Sequence, residues 1–239
     1  GGSEDSVSYI GSATGVAVNL ASGASAGGDA AGDTLSGIEN LIGSDHDDAL
    51  TGNGDANRLD GGAGDDTLSG GGGADTLIGG AGTDTANYAT STAAVNVNLD
   101  LGSGSGGDAE GDTLSGVENL IGSDHGDTLT GDAAANQLEG GSGDDVLSGG
   151  AGADALTGGA GIDFASYADS AAGVNVNLAT GLTSGGDAAG DALSGIENLT
   201  GTQHADILTG DAGANRLDGS AGDDTLTGGV GSDMLVGGA

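Results

Sequence analysis

The sequence predicts an all-β protein, a parallel β-roll or β-solenoid with right-handed coils of 18 residues. A nine-residue unit, Gly-Gly-x-Gly-x-Asp-x-Leu-x, occurs twice in succession over residues 61–78, as GGAGDDTLS and GGGGADTLI. Imperfect copies of this unit follow one another elsewhere in the same register. The composition has 56 Gly, no Pro, no Trp and 2% aromatic residues, which disfavours a thick conventional core. No helical periodicity of useful length accompanies these features.

Each nonapeptide supplies one strand and one turn. Its x-Leu-x end favours a short strand whose central Leu points inward while the flanking residues point outward. The preceding glycines allow the positive backbone φ angles that a tight turn requires. Two nonapeptides would therefore close one coil, and stacked coils would form two parallel sheets with strands roughly 4.8 Å apart. The predicted core is thin, with about two Leu side chains per coil.

A longer repeat of 79 residues groups the nonapeptides into blocks. Tyr9, Tyr88 and Tyr167 are separated by this step. Such self-similarity is typical of a tandem array, and both ends of the sequence fall inside the pattern, so we expect a piece of a longer array. The predicted organisation is one continuous solenoid of three tandem repeats. Its segments are the end of a truncated repeat (1–9), a spacer (10–42), nonapeptides (43–87), a spacer (88–121), nonapeptides (122–166), a spacer (167–200) and nonapeptides (201–239).

The spacers carry a weaker form of the same pattern. The stretch VNVNL at 95–99 alternates apolar and polar residues, as a half-buried strand does. A Gly/Ser-rich turn is expected next. The segment GGDAEGDTLSG at 106–116 resembles a nonapeptide with one inserted residue, which gives Asp112 and Leu114 the Asp and Leu roles, and Glu118 follows in an acidic slot. We therefore expect continued solenoid with loosened turns.

The composition disfavours nucleic acid as a partner and excludes thiolate metal sites. Two basic residues against 37 acidic ones give a net charge of −35, so nucleic acid is not an expected partner. Asp outnumbers Glu by 31 to 6, which favours turns and hard-cation sites over a solvating acidic tail. The chain has no Cys and therefore no disulfide or thiolate metal site. No stretch approaches the roughly 20 apolar residues of a membrane span, and no signal peptide opens the sequence.

The acidic residues are predicted to bind calcium. Nonapeptides 18 residues apart would stack on one edge, where carboxylates about 5 Å apart repel by about 3 kcal/mol at an effective dielectric of 20. A divalent ion between them reverses the sign, and Ca²⁺ accepts both carboxylates and the carbonyls of glycine-rich turns. The sixth nonapeptide positions are Asp48, Asn57, Asp66, Asp75, Asp84, Asp127, Asn136, Asp145, Asp154, Asp163, Asp206, Asn215, Asp224 and Asp233. The predicted metal ligands are these residues together with Asp5, Asp33, Asp112 and Asp191.

The perfect units at 61–78 resemble the repeats-in-toxin (RTX) family. This resemblance implies a parallel β-roll in which each Ca²⁺ is held by the Asp residues of successive turns on one edge and by turn carbonyls. On this sequence the implied pairs are Asp48 with Asp66, Asp66 with Asp84, and Asn57 with Asp75, with equivalents in the later repeats. Asn at position 57 lacks a charge, so its site is expected to be weaker. About eight to twelve ions are expected over the whole chain.

The expected function is that of a non-catalytic, extracellular calcium-binding array, a stalk or matrix element of an adhesin-like protein. RTX proteins leave bacteria unfolded through type I secretion and fold outside, where calcium is abundant. Association with further copies or with extracellular polysaccharide is an expected partnership. The alternative is an accessory module of a secreted enzyme that aids folding or binds sugars. No enzyme is predicted, because the carboxylates recur in every coil without an aromatic cleft for a substrate.

Two further residue types recur with the 79-residue step. His46, His125 and His204 replace a turn glycine, and we expect them to adopt the left-handed conformation in which His is enriched. A transition-metal role is the alternative. The three tyrosines are expected to cover the roll where the regular stack ends, with stacking against carbohydrate as the alternative.

Overall fold

The computed structural model describes residues 4–239, so residues 1–3 of the predicted truncated repeat lie outside it. The described chain contains β-strands, three short 3-10 turns and no α-helix. It divides into two compact units, the first ending at Ser123 and the second running from Asp124 to Ala239. No helix of residues 4–239 is long and apolar enough to cross a membrane.

The first unit is built from short strands in two sheets. Parallel strands follow the order β1-β4-β6-β8-β12 in one sheet and β13-β9-β7-β5-β2 in the other. The strands are β1 (Ser6–Ser8), β2 (Ala17–Asn19), β3 (Ala24–Ala26), β4 (Asn40–Ile42), β5 (Ala49–Asn53), β6 (Arg58–Ala63), β7 (Thr67–Gly71), β8 (Thr76–Ala81), β9 (Thr85–Asn87), β10 (Asn96–Asn98), β11 (Ser103–Ser105), β12 (Thr113–Ser115) and β13 (Asn119–Ile121).

Successive nonapeptides alternate between the two sheets. β5, β7 and β9 lie in one sheet, and β6 and β8 lie in the other. Within a sheet, neighbouring strands pair in parallel with Leu50 opposite Leu68 and Leu59 opposite Leu77, a step of 18 residues. This register confirms the predicted β-roll coil of two nonapeptides.

The core is a double row of side chains from the eighth nonapeptide position. Leu50, Leu59, Leu68 and Leu77 are each at most 1% exposed, and the flanking positions are largely half-exposed. Each buried Leu contributes about 1.5–3 kcal/mol. Because these side chains are nearly all that separates the sheets, the stability of a coil depends on very few of them.

The spacers depart from the predicted loosened coil. β2 and β10 each pair antiparallel with the strand that follows them, β3 and β11. A 3-10 turn comes next, Gly28–Ala30 in one spacer and Gly107–Ala109 in the other. The chain then returns to the roll, where Leu114 lies opposite Leu77 after a step of 37 residues. Each spacer is thus a coil carrying an antiparallel excursion, and the expected Gly/Ser turn is partly a strand.

The second unit repeats this architecture. Its strands are ordered β14-β16-β18-β22-β24-β26, β15-β17-β21 and β20-β19-β23-β25, with only β19–β20 antiparallel. A 3-10 turn spans Gly186–Ala188. The strands are β14 (Thr128–Thr130), β15 (Gln137–Ser142), β16 (Val146–Ser148), β17 (Ala155–Ala160), β18 (Phe164–Ser166), β19 (Asn175–Asn177), β20 (Leu182–Ser184), β21 (Ala192–Ser194), β22 (Asn198–Thr200), β23 (Ile207–Thr209), β24 (Arg216–Asp218), β25 (Thr225–Thr227) and β26 (Met234–Val236).

Candidate metal sites

Acidic side chains form ladders along the turns, one step per coil. In the first unit the backbone N–H of Asp48 donates to Asp66 Oδ1 at 2.8 Å, and that of Asp66 donates to Asp84 Oδ1 at 2.8 Å. On the other edge the N–H of Asn57 donates to Asp75 Oδ1 at 2.7 Å. The structure therefore places the members of each predicted pair on adjacent coils of one edge.

The same ladders occur in the second unit. The N–H of Asp127 donates to Asp145 Oδ1 at 2.7 Å, and that of Asp145 donates to Asp163 Oδ1 at 2.9 Å. The N–H groups of the asparagines and of Asp206 make the same contact with the next carboxylate. These pairs are Asn136 with Asp154, Asn215 with Asp233, and Asp206 with Asp224.

The second oxygen of many ladder carboxylates has no hydrogen-bond partner. Within residues 4–239 this holds for seven buried Oδ2 atoms, those of Asp66, Asp75, Asp84, Asp145, Asp154, Asp163 and Asp224. Six of these seven side chains are at most 1% exposed. A buried carboxylate oxygen without a partner is strongly unfavourable unless it is protonated or faces a cation. These seven atoms are therefore the positions in the described chain that fit a metal ion best.

The pKa values of several of these carboxyls are raised, so the charged form is disfavoured where they lie. Burial is the main cause that raises the pKa of Asp66 and Asp75 from 3.8 to about 7, and that of Asp145 and Asp154 to about 6. The hydrogen bond from the backbone opposes this shift, and repulsion by neighbouring carboxylates adds to it. For Asp66 those neighbours include Asp48 and Asp84. Burial and repulsion thus disfavour the charged carboxylate, and a nearby cation would favour it.

A turn carbonyl and an orphan oxygen lie beside the same glycine in several nonapeptides. A methyl group built on Gly61, the first nonapeptide residue, would collide with Asp66 Oδ2 and would lie 2.7 Å from the carbonyl oxygen of Gly79 in the next coil. A methyl group built on Gly140 would likewise collide with Asp145 Oδ2, and it would lie 2.7 Å from the carbonyl oxygen of Gly158. A carboxylate and a carbonyl oxygen thus flank one cradle, and these are the ligand types that Ca²⁺ takes.

Replacing the cradle glycine is expected to damage both the fold and metal binding. In Gly61→Ala the new methyl group would occupy the space between the Asp66 carboxylate and the Gly79 carbonyl. We expect the free energy of unfolding to fall by about 1–3 kcal/mol, and the calcium concentration at the midpoint of folding to rise. Circular dichroism during calcium titration and urea unfolding measure these effects. Gly54→Ala is the matched control, because a methyl group there meets nothing within 4 Å. Equal behaviour of the two variants would contradict the cradle.

In two blocks the aspartate of the first nonapeptide has hydrogen-bond donors at both oxygens. Asp48 Oδ2 accepts from the Ser44 N–H at 2.5 Å, and its Oδ1 accepts from the Ser44 hydroxyl at 3.0 Å and from the Val16 N–H at 2.7 Å. Asp206 is held in the same way by Thr202. Oδ2 thus accepts a backbone N–H from a Ser or Thr at the second nonapeptide position, where the perfect repeats have Gly and leave Oδ2 without a donor.

The asparagine positions are satisfied as well. Asn57 Oδ1 accepts from the Asn53 N–H at 2.7 Å, and its amide nitrogen donates to the Glu39 carbonyl at 3.1 Å. Asn215 donates likewise to the Glu197 carbonyl at 2.7 Å. The amide thus brings its own N–H to a carbonyl oxygen, and the arrangement is complete without an ion.

The remaining predicted ligands lie where spacers join the ladders. Asp112 and Asp191 accept the N–H of Asp75 and Asp154 at 2.8 and 3.0 Å, whereas Asp5 and Asp33 are exposed near the start of the described chain. Asp127 is buried and Asp233 is half-buried.

Three glutamates also belong to the ladders but are absent from the predicted ligand set. Glu39, Glu118 and Glu197 accept the N–H groups of Asp5, Asp84 and Asp163 at 2.8–2.9 Å. The repeated G-[IV]-E-N-L segment is the signal that locates them, since it placed Glu118 in an acidic slot.

The expected conformation of the histidines was wrong, and so was the alternative role given to the tyrosines. Among residues 4–239 the single non-glycine residue with positive φ is Ser220, at 65°, so His46, His125 and His204 are not left-handed. At His46 the Ser44 hydroxyl accepts the His46 N–H and fixes a different turn. The tyrosines are at most 5% exposed, so their rings are not available for stacking against carbohydrate.

No three acidic or histidine side chains converge on one point in the described part of the chain. The candidate sites accordingly depend on single carboxylates with backbone carbonyls, as glycine-rich turns allow.

No curated protein gives a significant match to this chain. A family model described as the RTX calcium-binding nonapeptide repeat, in four copies, matches residues 33–68, 51–86, 112–145, 121–156, 130–165 and 193–239. These ranges cover more than half of the sequence and overlap all three nonapeptide blocks. The chain therefore belongs to the RTX nonapeptide repeat family, whose repeats bind multiple Ca²⁺ ions.

Proposed function

We propose that this chain is a non-catalytic, extracellular structural array that folds when calcium binds and serves as a stalk or matrix element of a secreted protein. The observation that carries the proposal is the set of seven buried Oδ2 atoms without a partner, repeated from coil to coil. Seven equivalent positions favour a structural role, because a catalytic site is a single arrangement of dissimilar groups.

The proposed ligands are the carboxylates of Asp66, Asp75, Asp84, Asp145, Asp154, Asp163 and Asp224 with the glycine carbonyls beside them. A bound Ca²⁺ supplies the positive charge that the buried oxygens require. Each ion also ties one coil to the next, because the same carboxylate accepts the N–H of the preceding coil through Oδ1, as Asp66 does from Asp48. Ion binding and coil stacking are therefore a single event.

The net charge makes folding depend on the calcium concentration, and therefore on whether the chain is inside or outside the cell. At −35 the calcium-free chain repels itself, and compaction would bury carboxylates that have no counter-charge. Where calcium is scarce, as in a cell interior, the chain stays unfolded and suitable for export. Where calcium is abundant, binding free energy becomes folding free energy. Secretion before folding is part of the proposal.

The test is calcium-dependent folding of the whole chain. Circular dichroism in EDTA is expected to show an unfolded chain at neutral to alkaline pH, and millimolar CaCl₂ is expected to produce a β spectrum. Titration calorimetry is expected to count about seven ions, one for each orphan oxygen. MgCl₂ at the same concentration is the control and should fold the chain much less, because Mg²⁺ demands a tighter octahedron. A β spectrum unchanged by EDTA would refute the proposal.

A further inference from the structure

Each spacer contains a buried tyrosine that contacts a ladder carboxylate. The hydroxyl of Tyr88 donates to Asp112 Oδ2 at 2.9 Å, and that of Tyr167 donates to Asp191 Oδ2 at 3.0 Å. Both tyrosines are at most 3% exposed. The other oxygen of each carboxylate already accepts a ladder N–H, so both oxygens of Asp112 and of Asp191 have partners.

The carboxylate in the neighbouring nonapeptide coil differs from the spacer carboxylate in the partner of its second oxygen. Asp75 and Asp112 are successive members of one ladder, and both are at most 2% exposed. Asp75 Oδ2 has no donor, whereas Asp112 Oδ2 has the phenol. The second unit repeats the difference between Asp154 and Asp191. A hydroxyl group therefore stands in the spacer where the nonapeptides leave an oxygen for a cation.

The glycine cradle is also missing at the spacer positions. In the nonapeptides, the glycine five residues before the aspartate abuts Oδ2, as Gly70 does for Asp75. The glycine five residues before Asp112 is Gly107, and a methyl group built there would contact the Ser91 hydroxyl and lie 2.6 Å from the Ala93 carbonyl oxygen. The inserted residue makes Gly106 a second counterpart, and a methyl group there would lie 2.9 Å from the Ala94 carbonyl oxygen instead of meeting Asp112. Gly186 lies likewise beside Ser170 and Ala172. The 3-10 turns that begin at these glycines carry them away from the carboxylate.

We propose that Tyr88 and Tyr167 take the place of a calcium ion in the spacer coils, so that Asp112 and Asp191 complete the ladders without being metal ligands. The inference rests on the proposed calcium sites at Asp75 and Asp154. It gives each spacer a distinct role: in the folded chain its coil is closed by a hydrogen bond instead of an ion, and it presents a carboxylate to the N–H of the adjacent calcium-binding coil.

Ion counting on matched variants tests this assignment. Titration calorimetry on the full chain is expected to give one ion fewer for Asp75→Asn than for the parent, and the parental number for Asp112→Asn. Both variants keep an amide oxygen that can accept the ladder N–H. Loss of an ion in Asp112→Asn would overturn the inference while leaving the proposed function intact. A parent chain that binds no calcium would overturn the proposed function and the inference together.

Removal of the phenol hydroxyl provides the second measurement. Tyr88→Phe leaves Asp112 Oδ2 without its donor in a buried environment, so we expect the parental ion count with a lower Tm in saturating calcium. Tyr9→Phe is the matched control, because Tyr9 donates to Asp33 at 3.0 Å but Asp33 is exposed and can exchange the lost hydrogen bond for water. A Tm for Tyr88→Phe no lower than that of Tyr9→Phe would overturn the inference.

Discussion

In the absence of calcium, the chain is expected to be more folded at about pH 5 than at about pH 8. The pKa of Asp66 and Asp75 is raised to about 7 in the fold, against an ordinary value of 3.8. Between these values the folded chain holds protons that the unfolded chain has lost, so the folded state is favoured by protons. The stability that these protons contribute to the calcium-free fold is greatest below the ordinary pKa, falls as the pH rises, and is lost as the pH passes about 7.

Calcium is expected to reverse this dependence. An ion at the orphan oxygens competes with the proton, so calcium affinity rises with pH through the same range. Circular dichroism thermal scans across the pH range, with EDTA and with saturating CaCl₂, would show two opposite slopes. The double variant Asp66→Asn/Asp75→Asn should reduce both slopes, with the remainder due to carboxyls such as Asp145 and Asp154. Asp100→Asn is the control, since Asp100 is exposed and lies outside the ladders, so its substitution removes a surface charge. A Tm in EDTA that increases from pH 5 to pH 8 would contradict the prediction.

The regular part of the fold was predictable because each nonapeptide position has the same structural role in every copy. Leu at the eighth position determines which side chain is buried, and its spacing gives the 18-residue register seen between Leu50 and Leu68. The spacer strands were less accessible. β11 consists of Ser, Gly and Ser, which carry no apolar signal, and it forms because its backbone pairs with β10. Pairing of this kind depends on the arrangement of the whole coil.

The candidate sites show the same limit. Alignment of sixth positions identifies the ladder carboxylates but treats Asp48, Asp66 and Asp112 as equivalent. The structure distinguishes them by their hydrogen-bond donors: Ser44 for the first, none for Oδ2 of the second, and Tyr88 for the third. Tyr88 is 24 residues from Asp112 in the sequence. A contact that distant follows from coil closure, which a local motif does not encode.

Truncation of a single core leucine, Leu68→Ala, is expected to destabilise the calcium-saturated chain by about 2–5 kcal/mol. Leu68 is fully buried, lies opposite Leu50 in one neighbouring strand and Ala86 in the other, and has few other large side chains that could fill the cavity. The loss is a large part of the roughly 5–15 kcal/mol that stabilises a typical domain. Guanidinium unfolding in excess CaCl₂ measures the change.

Leu101→Ala is the control for this prediction, because Leu101 is 73% exposed and its truncation should change stability by no more than about 0.5 kcal/mol. The comparison separates two sources of stability in the roll. If bound ions alone held the coils together, Leu68→Ala would behave like Leu101→Ala once calcium is saturating. A large difference between the two variants in excess calcium would instead mean that the ions act by removing electrostatic repulsion at the turns, while the thin row of leucines supplies the attraction between the sheets. We expect the second result, because the proposed ion sites lie at the turns, whereas leucines such as Leu50, Leu59, Leu68 and Leu77 fill the space between the sheets in the nonapeptide coils.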